Sequence, residues 1–384
     1  MKDGWKYQKL GGVATFINGY PFKPSEWGDE GRPIIRIQNL NNSSAPFNSF
    51  NGTILDKYIV RKGDVLISWS GTLGVYEWEK DSDALLNQHI FKVVFNKASI
   101  NKSFFKYAVA SRLNEMKAKV HGITMQHITK GDFDNIPIPI PSTSEQERIV
   151  AELDILQGVI DKQKAQLKEL DTLALSIFHE MFGDPVKNNK GWRTELLQDI
   201  CSRITDGSHF SPKEDINGRY PMLSVKDMSS NGFVYDNCKH INESDYKTLV
   251  SNGCKPSIND VLVAKDGSYL KTAFVQKTEV EQVVLSSIAI VSPKISVVSP
   301  QFLAFFFKTP DVKVLVEKHY LTGTAIKRII LKGFRNMTII LPPFSLQQSF
   351  VEKIEAIEQQ KTRINASIAE TQKLFDYTMD KYFG

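Results

Sequence analysis

The chain repeats its own pattern. Phe133-Asp134-Asn135-Ile136-Pro137-Ile138-Pro139-Ile140-Pro141 lies over Phe334-Arg335-Asn336-Met337-Thr338-Ile339-Ile340-Leu341-Pro342 at an offset of 201 residues, without a gap. The same offset pairs Gly122 with Gly323, Ile128 with Ile329, Gln146 with Gln347 and Val150 with Val351, and it ends by matching Phe182-Gly183 to Phe383-Gly384. Upstream the offset drifts, as loop insertions make it. Gly63-Asp64-Val65-Leu66-Ile67 lies over Asn259-Asp260-Val261-Leu262-Val263 at 196, Gly71 over Gly267, and Gly4-Trp5-Lys6 over Gly191-Trp192-Arg193 at 187. Chance gives any one such match, but an ordered series of them is a duplication. The 384 residues are therefore two copies of one unit, about 1–188 and 189–384.

The last forty or so residues of each copy carry a helical stripe. Ile149, Leu153, Leu156, Ile160, Leu167, Leu170, Ala174, Ile177 and Met181 recur at alternating three- and four-residue steps, broken only at Gln163. That is a coiled-coil heptad seam. Shifted by 201, it becomes Phe350, Ile354, Ile357, Lys361, Ile364, Ile368, Thr371, Phe375, Thr378 and Tyr382. Pro141-Ser142-x-x-Glu145 predicts a capping box, with Pro342-Pro343-Phe344-Ser345-x-x-Gln348 as its counterpart. A single such stripe is most simply a surface helix lying on its own domain. Two matching seams, each following its own globular part, are buried most simply as a pseudo-two-fold, antiparallel coiled coil. A helix of ~39 residues would run about 58 Å. Gln163, Lys361, Thr371 and Thr378 either fix the register of that seam or are solvated where the helices splay.

The globular parts, about 1–141 and 189–342, read as mixed α/β, so the fold class is α+β. Short strand-like runs (Arg32–Ile37, Asp64–Trp69, Phe91–Phe95) are separated by Gly, Asn, Asp and Ser turns, and a helix around Lys102–Lys119 recurs as Gln301–His319. Positive charge is confined to these parts. Residues 1–141 hold 18 Lys and Arg against 13 Asp and Glu, and residues 189–342 hold 20 against 15, while the helical stretches 142–182 and 343–384 are acidic by four charges and one. Two modestly basic modules on a spacer suit an elongated polyanion such as DNA. A surplus of five charges on such a module is also ordinary surface chemistry, so charge alone does not choose.

Catalytic signatures are missing from the sequence. No G-x-x-x-x-G-K-[ST] loop and no Gly-rich nucleotide cradle is present. Leu341-Pro342-Pro343-Phe344 has Leu where an amino-group methyltransferase needs an Asn or Asp acceptor, and Glu317-Lys318 follows Pro310-Asp311 without nuclease spacing. His121, His127 and His179 do not fall at metal-ligand intervals, so no metal site is expected. Three cysteines, Cys201, Cys238 and Cys254, include no C-x-x-C pair and suit a reducing, cytoplasmic compartment. No apolar run reaches membrane-span length and the first residues lack a signal-peptide core.

Two α/β modules, each ending in a proline-marked helix, resemble the specificity subunits of type I restriction–modification systems. The resemblance rests on Ile136-Pro137-Ile138-Pro139-Ile140-Pro141 followed by Glu145-Gln146-x-x-Ile149, on Gly63-Asp64-Val65-Leu66-Ile67 with Gly71-Thr72-x-Gly74, and on Gly122-Ile123-Thr124-Met125-Gln126-His127-Ile128. It covers the whole chain. The second copy departs from it: Leu346-Gln347-x-x-Phe350 replaces E-Q-x-x-I, and Lys265-Asp266-Gly267-Ser268 replaces Trp69-Ser70-Gly71-Thr72. The first departure puts equal docking of partners on the two helices in doubt, and the second fits modules that read different bases.

The resemblance implies a non-catalytic subunit with target recognition domains at 1–141 and 189–342, a first spacer helix and connector at 142–188, and a second spacer helix at 343–384. Each recognition domain would read half of a bipartite, asymmetric site in double-stranded DNA. The helices would set the gap and hold two methyltransferase subunits, and two ATP-dependent restriction subunits would join the larger complex. S-adenosylmethionine, ATP and Mg would be bound by those partners and not by this chain. Two rival readings are a stand-alone methyltransferase or nuclease with degenerate motifs, which would bind its own cofactor, and a coiled-coil scaffold for proteins, which would not bind DNA selectively.

Polar residues at strand ends and Gly-rich turns are the candidate DNA contacts. In the first module these are Arg36, Gln38, Asn39, Ser68, Ser70, Thr72, Gln88, His89, Gln126 and His127. In the second they are Ser224, Lys226, Asp227, Lys265, Asp266, Ser268, Tyr269, Lys271, Lys327 and Arg328. Arg and Lys suit guanine or phosphate, whereas Gln and Asn suit adenine. Trp69 fits either a core or a contact role, and Gly71, Gly122, Gly267 and Gly323 fit turns.

Overall fold

The computed structural model describes residues 5–42, 44–119, 130–323 and 327–384, with the backbone alone at 114–119. The chain divides into two compact units, Met1–Lys164 with Asn365–Gly384 and Ala165–Ile364. Two helices of 40 residues, Thr143–Phe182 and Phe344–Phe383, each begin in one unit and finish in the other. The compact units therefore differ from the sequence repeats by an exchange of helix ends.

In the first unit an antiparallel sheet runs in the order Thr15–Asn18, Ile90–Val94, Val65–Ser68, Gly74–Glu77. Val65, Ile67, Phe91 and Val93 point from it into a core shared with Phe104, Phe105 and Val109 of the helix Lys102–Lys119. Glu77 ties that helix to the edge strand, accepting from Lys102 at 2.7 Å and Lys106 at 2.6 Å. Burial alone would raise the Glu77 carboxyl, but the two ammonium groups outweigh it and hold the carboxyl below its usual range. A second sheet, in the order Asn48–Phe50, Arg32–Ile35, Ala84–Leu86, Ile59–Val60, is mixed because Arg32–Ile35 and Ala84–Leu86 pair in parallel. Lys6–Lys9 pairs with the proline-rich strand Pro137–Ile140. A two-stranded ribbon tolerates prolines because an edge strand needs only half of its donors.

The second unit repeats the plan. Its antiparallel sheet is Cys201–Asp206, Ile288–Pro293, Val261–Ala264, Ala273–Val275, and its smaller mixed sheet is Lys239–Ile241, Tyr220–Leu223, Val283–Val284. Thr194–Leu196 pairs with Thr338–Ile340 where Lys6–Lys9 pairs with Pro137–Ile140 in the first unit. The helix expected over Gln301–His319 forms as two, Pro300–Lys308 and Pro310–His319. Pro310 is the cause: the residue before a proline is held extended, and Thr309 has φ −66° and ψ 141°. The three cysteines are buried and free. Burial pushes the Cys201 thiol up to about 12 and raises Cys238 and Cys254 as well, which favours the protonated thiol of a packing group.

Two repeated motifs turn out to be structural devices. Gln146 donates to the Pro141 carbonyl at 2.9 Å and accepts from the Asn101 amide at 2.8 Å. Gln347 makes the same pair with the Pro342 carbonyl and the Ser299 amide, both at 2.9 Å. Each glutamine is fully buried and clamps the start of a long helix to the start of the helix that covers the sheet. Asp64 and Asp260 each accept an amide three residues upstream, from Arg61 and Ser257, closing a turn in which Gly63 and Asn259 have positive φ. Ser142 caps the first long helix, accepting from the Glu145 amide at 3.3 Å. The second long helix starts at Phe344, which puts Ser345 inside its first turn and Pro343 at the position matching Ser142. The capping box expected at Ser345 is thus replaced by proline, whose fixed φ suits a helix start.

Within each unit the two long helices run antiparallel. In the first, Arg148 donates to the Tyr382 hydroxyl at 3.1 Å, Tyr382 donates to Glu152 at 2.6 Å, and Gln163 donates to Ser367 at 2.7 Å. In the second, Lys361 reaches Asp171 at 2.8 Å, and the rings of Phe178 and Phe350 lie 5.5 Å apart. In both, numbers rise on one helix as they fall on the other. Gln163 and Lys361, the polar breaks in the seams, make cross-helix polar contacts, while Thr371 and Thr378 turn their hydroxyls back onto Ser367 and Leu374 carbonyls. The exchanged ends are aromatic plugs. Phe383 meets Phe104 at 5.3 Å in the core of the first unit, and Phe182 meets Phe302 at 4.9 Å in that of the second. Phe383→Ala should destabilise the first unit by about 3–5 kcal/mol, and Phe182→Ala the second by a similar amount. Hydrogen exchange checks the assignment: Phe383→Ala should speed amide exchange at residues 5–113, and the opposite pattern would overturn it.

Candidate nucleic-acid interface

In the second module the stretches that carry the candidates, 224–227, 265–271 and 327–328, are tied to one another beside the end of the strand Val261–Ala264. The strand Val261–Ala264 ends at Lys265, a residue 4% exposed whose ammonium lies 3.3 Å from Asp206 and 3.2 Å from Asp266. Gly267, at φ +64°, turns the chain so that its amide donates to the Lys327 carbonyl at 2.9 Å, and the Ile329 amide donates to the Lys265 carbonyl at 2.9 Å. Asp266 and Arg328 form an antiparallel bridge between these two stretches. Ser287 joins the third stretch, since its carbonyl accepts from the Lys265 amide at 3.0 Å and its hydroxyl from the Val225 amide at 3.2 Å.

These residues divide by what already occupies them. Asp227 is buried and accepts from the Ser224 amide and hydroxyl, so Ser224 and Asp227 hold the turn Val225–Asp227 in shape. Lys265 is neutralised by its two carboxylates. Tyr269 donates to Glu317 at 3.1 Å, and burial followed by that carboxylate raises its phenol above the usual range. Lys226, Ser268, Lys271, Lys327 and Arg328 are exposed. The free surface of this cluster is therefore cationic, on a base of locked charges.

The first module builds the same frame with neutral groups. Trp69 stands where Lys265 does, and its amide donates to the His89 carbonyl at 3.2 Å as that of Lys265 does to Ser287. The Trp69 ring meets His89 edge-on at 5.0 Å and stacks on Phe91 at 5.5 Å, so it serves the core and the surface together. Ser68 is fully buried and donates to the Thr72 carbonyl, closing the Gly71 turn, where φ is +65°. Asn39 is buried too. It accepts from the Arg36 amide and donates to the Ala45 and Pro46 carbonyls, which shapes the helix Ile37–Asn41. The Arg36 guanidinium lies 4.8 Å above the Trp27 ring and donates to Asn48 at 3.4 Å. Gln38 and Thr72 are exposed, and Ser70, Gln88 and His89 are half-buried. Gln126 and His127, like Gly122, lie outside the described residues.

Sequence reasoning passed over three residues here. Gly19 and Gly207 each precede the cluster, and a Cβ on either would come within 2.0 Å of a carbonyl oxygen, that of Asn87 or Val284. The signal was present as Asn18-Gly19 over Asp206-Gly207, one step off the offset at Trp5 and Trp192. Asp206 follows from the same match, and it pairs with Lys265 and with exposed His209 at 3.3 Å. Among the described residues no group of three His, Cys, Asp or Glu is arranged to hold a metal, and no helix is long and apolar enough to cross a membrane. Asn39→Ala should cost about 1–3 kcal/mol of stability, the penalty for stranding buried partners, whereas exposed Gln38→Ala should leave the fold unchanged. Thermal melting of the two variants separates the frame from the surface, and equal losses would overturn the division.

Comparison with known proteins agrees with this plan. A family model described as the type I restriction modification DNA specificity domain matches residues 2–172 and again 189–372. The type I restriction enzyme EcoBI specificity subunit of Escherichia coli is 23% identical over 417 aligned residues, covering all of this chain and 86% of that protein. The EcoKI specificity subunit of Escherichia coli strain K12 is 21% identical, covering all of this chain and 89% of that one. The MjaIX specificity subunit of Methanocaldococcus jannaschii is 23% identical over 84% of this chain and 77% of its own. Among solved structures, the type I restriction–modification S subunit from M. genitalium aligns over the whole chain and 98% of its own with a TM-score of 0.53 at 14% identity, a likeness of fold.

Proposed function

This chain belongs to the type I restriction–modification DNA specificity family, and from that membership we propose that its two modules each read one half of a bipartite, asymmetric site in double-stranded DNA. The observation that carries the reading is a repeated frame with unlike surfaces. Gly19 and Gly207, Gln146 and Gln347, and Asp64 and Asp260 do the same structural work in both units. The residues mounted on that frame differ: Trp69-Ser70-Gly71-Thr72 in one and Lys265-Asp266-Gly267-Ser268 in the other. A frame kept in both copies with the residues at its turn changed is what two readers of different sequences require. Phosphate contacts position each module and base edges in the major groove specify the sequence.

The recognition domains are residues 1–141 and 189–342, with the first spacer helix and its connector at 142–188 and the second spacer helix at 343–384. In this reading the chain performs no chemistry. Two methyltransferase subunits dock on the long helices and bring S-adenosylmethionine, and two restriction subunits bring ATP and Mg. The helix pairing sets the length of the unread gap. The buried Gln146 and Gln347 belong to the helix clamps, so partner docking falls to other helix residues.

Replacing residues 189–342 with the matching module of another specificity subunit should change one half of the methylated sequence and leave the other half unchanged. Sequencing methylated adenines in cells carrying the chimera and its partners reads the outcome, and a change in both halves would overturn independent reading. A heptad inserted after Lys164 together with one after Ile364 keeps the seam in register and adds about 10 Å of helix. The gap should then lengthen by about three base pairs at roughly 3.4 Å each. An unchanged gap would show that the helices do not set it.

A further inference from the structure

We propose that Arg328 is a specificity-determining residue that reads a guanine in the half-site recognised by residues 189–342. The proposal rests on the function given above and names a base for one of its two readers.

The two copies keep a sequence pattern around this position and change the residues within it. Gly323 and Ile329 match Gly122 and Ile128, whereas Lys327-Arg328 stands where the first copy has Gln126-His127. Arg328 lies on a short antiparallel ribbon in which Leu321 pairs with Ile329 and Thr322 with Arg328. A two-stranded ribbon is one of the shapes that the major groove admits.

The backbone on both sides of Arg328 is fixed. The Lys327 carbonyl accepts from the Gly267 amide, the Ile329 amide donates to the Lys265 carbonyl, and the Ile329 side chain is fully buried. Arg328 itself is exposed, and its guanidinium has no ion pair or hydrogen bond among the described residues. Asp266 is its bridge partner, and that carboxylate pairs with the Lys265 ammonium at 3.2 Å. Lys265 is in turn held by Asp206. The buried lysine thus engages the carboxylate that stands across the bridge from Arg328.

Chemistry separates Arg328 from the lysines around it. A guanidinium presents paired donors in a plane that match O6 and N7 of guanine, while an ammonium is a point charge suited to phosphate. Lys226, Lys271 and Lys327 are exposed on the same cluster and supply the phosphate contacts that hold the ribbon in register.

The test uses the full chain assembled with its methyltransferase subunits. Binding is measured on duplexes in which every base pair of the recognised site is changed in turn, at several salt concentrations. Wild type should discriminate for guanine at one position of one half-site by roughly 5- to 150-fold. Arg328→Gln should flatten the preference there, keep the other half-site intact and leave the melting temperature unchanged, while Lys271→Ala should weaken all sequences alike and lower the salt slope by about one. If Arg328→Gln instead weakens every sequence equally with a reduced salt slope, the residue is a phosphate contact and the proposal fails. If wild type shows a two-part site whose preferences Arg328→Gln leaves untouched, this assignment fails while the function stands. If wild type shows no two-part site, both fall.

Discussion

Two phenylalanines close the two cores, and each arrives from the far end of a 40-residue helix. Phe383 packs on Phe104, and Phe182 packs on Phe302 and Phe350. Burying a phenylalanine contributes about 1.5–3 kcal/mol by transfer alone, and each is the last large side chain before a glycine. The antiparallel pairing of the helices follows from this need, because a helix that starts on one module must end in the other. The polar seam contacts Gln163–Ser367 and Lys361–Asp171 then restrict the pairing to one register, at the cost in stability that polar groups carry in a coiled-coil seam.

The buried glutamines work to the same end from the other side. Gln146 and Gln347 tie each long helix at its first turn to the helix that covers the sheet, spending both an amide donor and a carbonyl acceptor on buried backbone groups. The helices are thereby held at both ends. Around that scaffold the sheets present their strand ends, where Trp69 and Lys265 occupy one place with opposite chemistry. Trp69 is packed by Phe91, whereas Lys265 is retained by two carboxylates.

Much of this was legible in the sequence because duplication doubles the signal. The heptad seams, the long helices and the α+β character of both modules follow from spacing alone, and Gly63-Asp64 with its counterpart stood out as a repeated pair, though not as a turn. Legibility stopped where a residue's role depends on what faces it. Asn39, Ser68, Ser224 and Asp227 look like contacts in a polar turn, yet their side chains are spent on the local backbone. Asp206 looked ordinary until Lys265 was found beside it. The single helix expected over Gln301–His319 ignored Pro310, and Ser345 was given a cap that Pro343 forestalls. Side-chain burial is a property of the folded neighbourhood, which spacing carries only weakly, whereas Pro310 and Pro343 were local signals that the repeat alignment overrode.

The exchanged helix ends also bear on how the molecule comes into being. A ribosome releases the first module some two hundred residues before Asn365–Gly384, the segment that completes its core. Until then Phe104 and its neighbours wait uncovered, and closing so distant a contact is slow because chain entropy must be spent first. The second module receives everything it needs by Ile364. The half of the protein made first is thus the half finished last, and a nascent chain has a partner-hungry aromatic face for most of its synthesis.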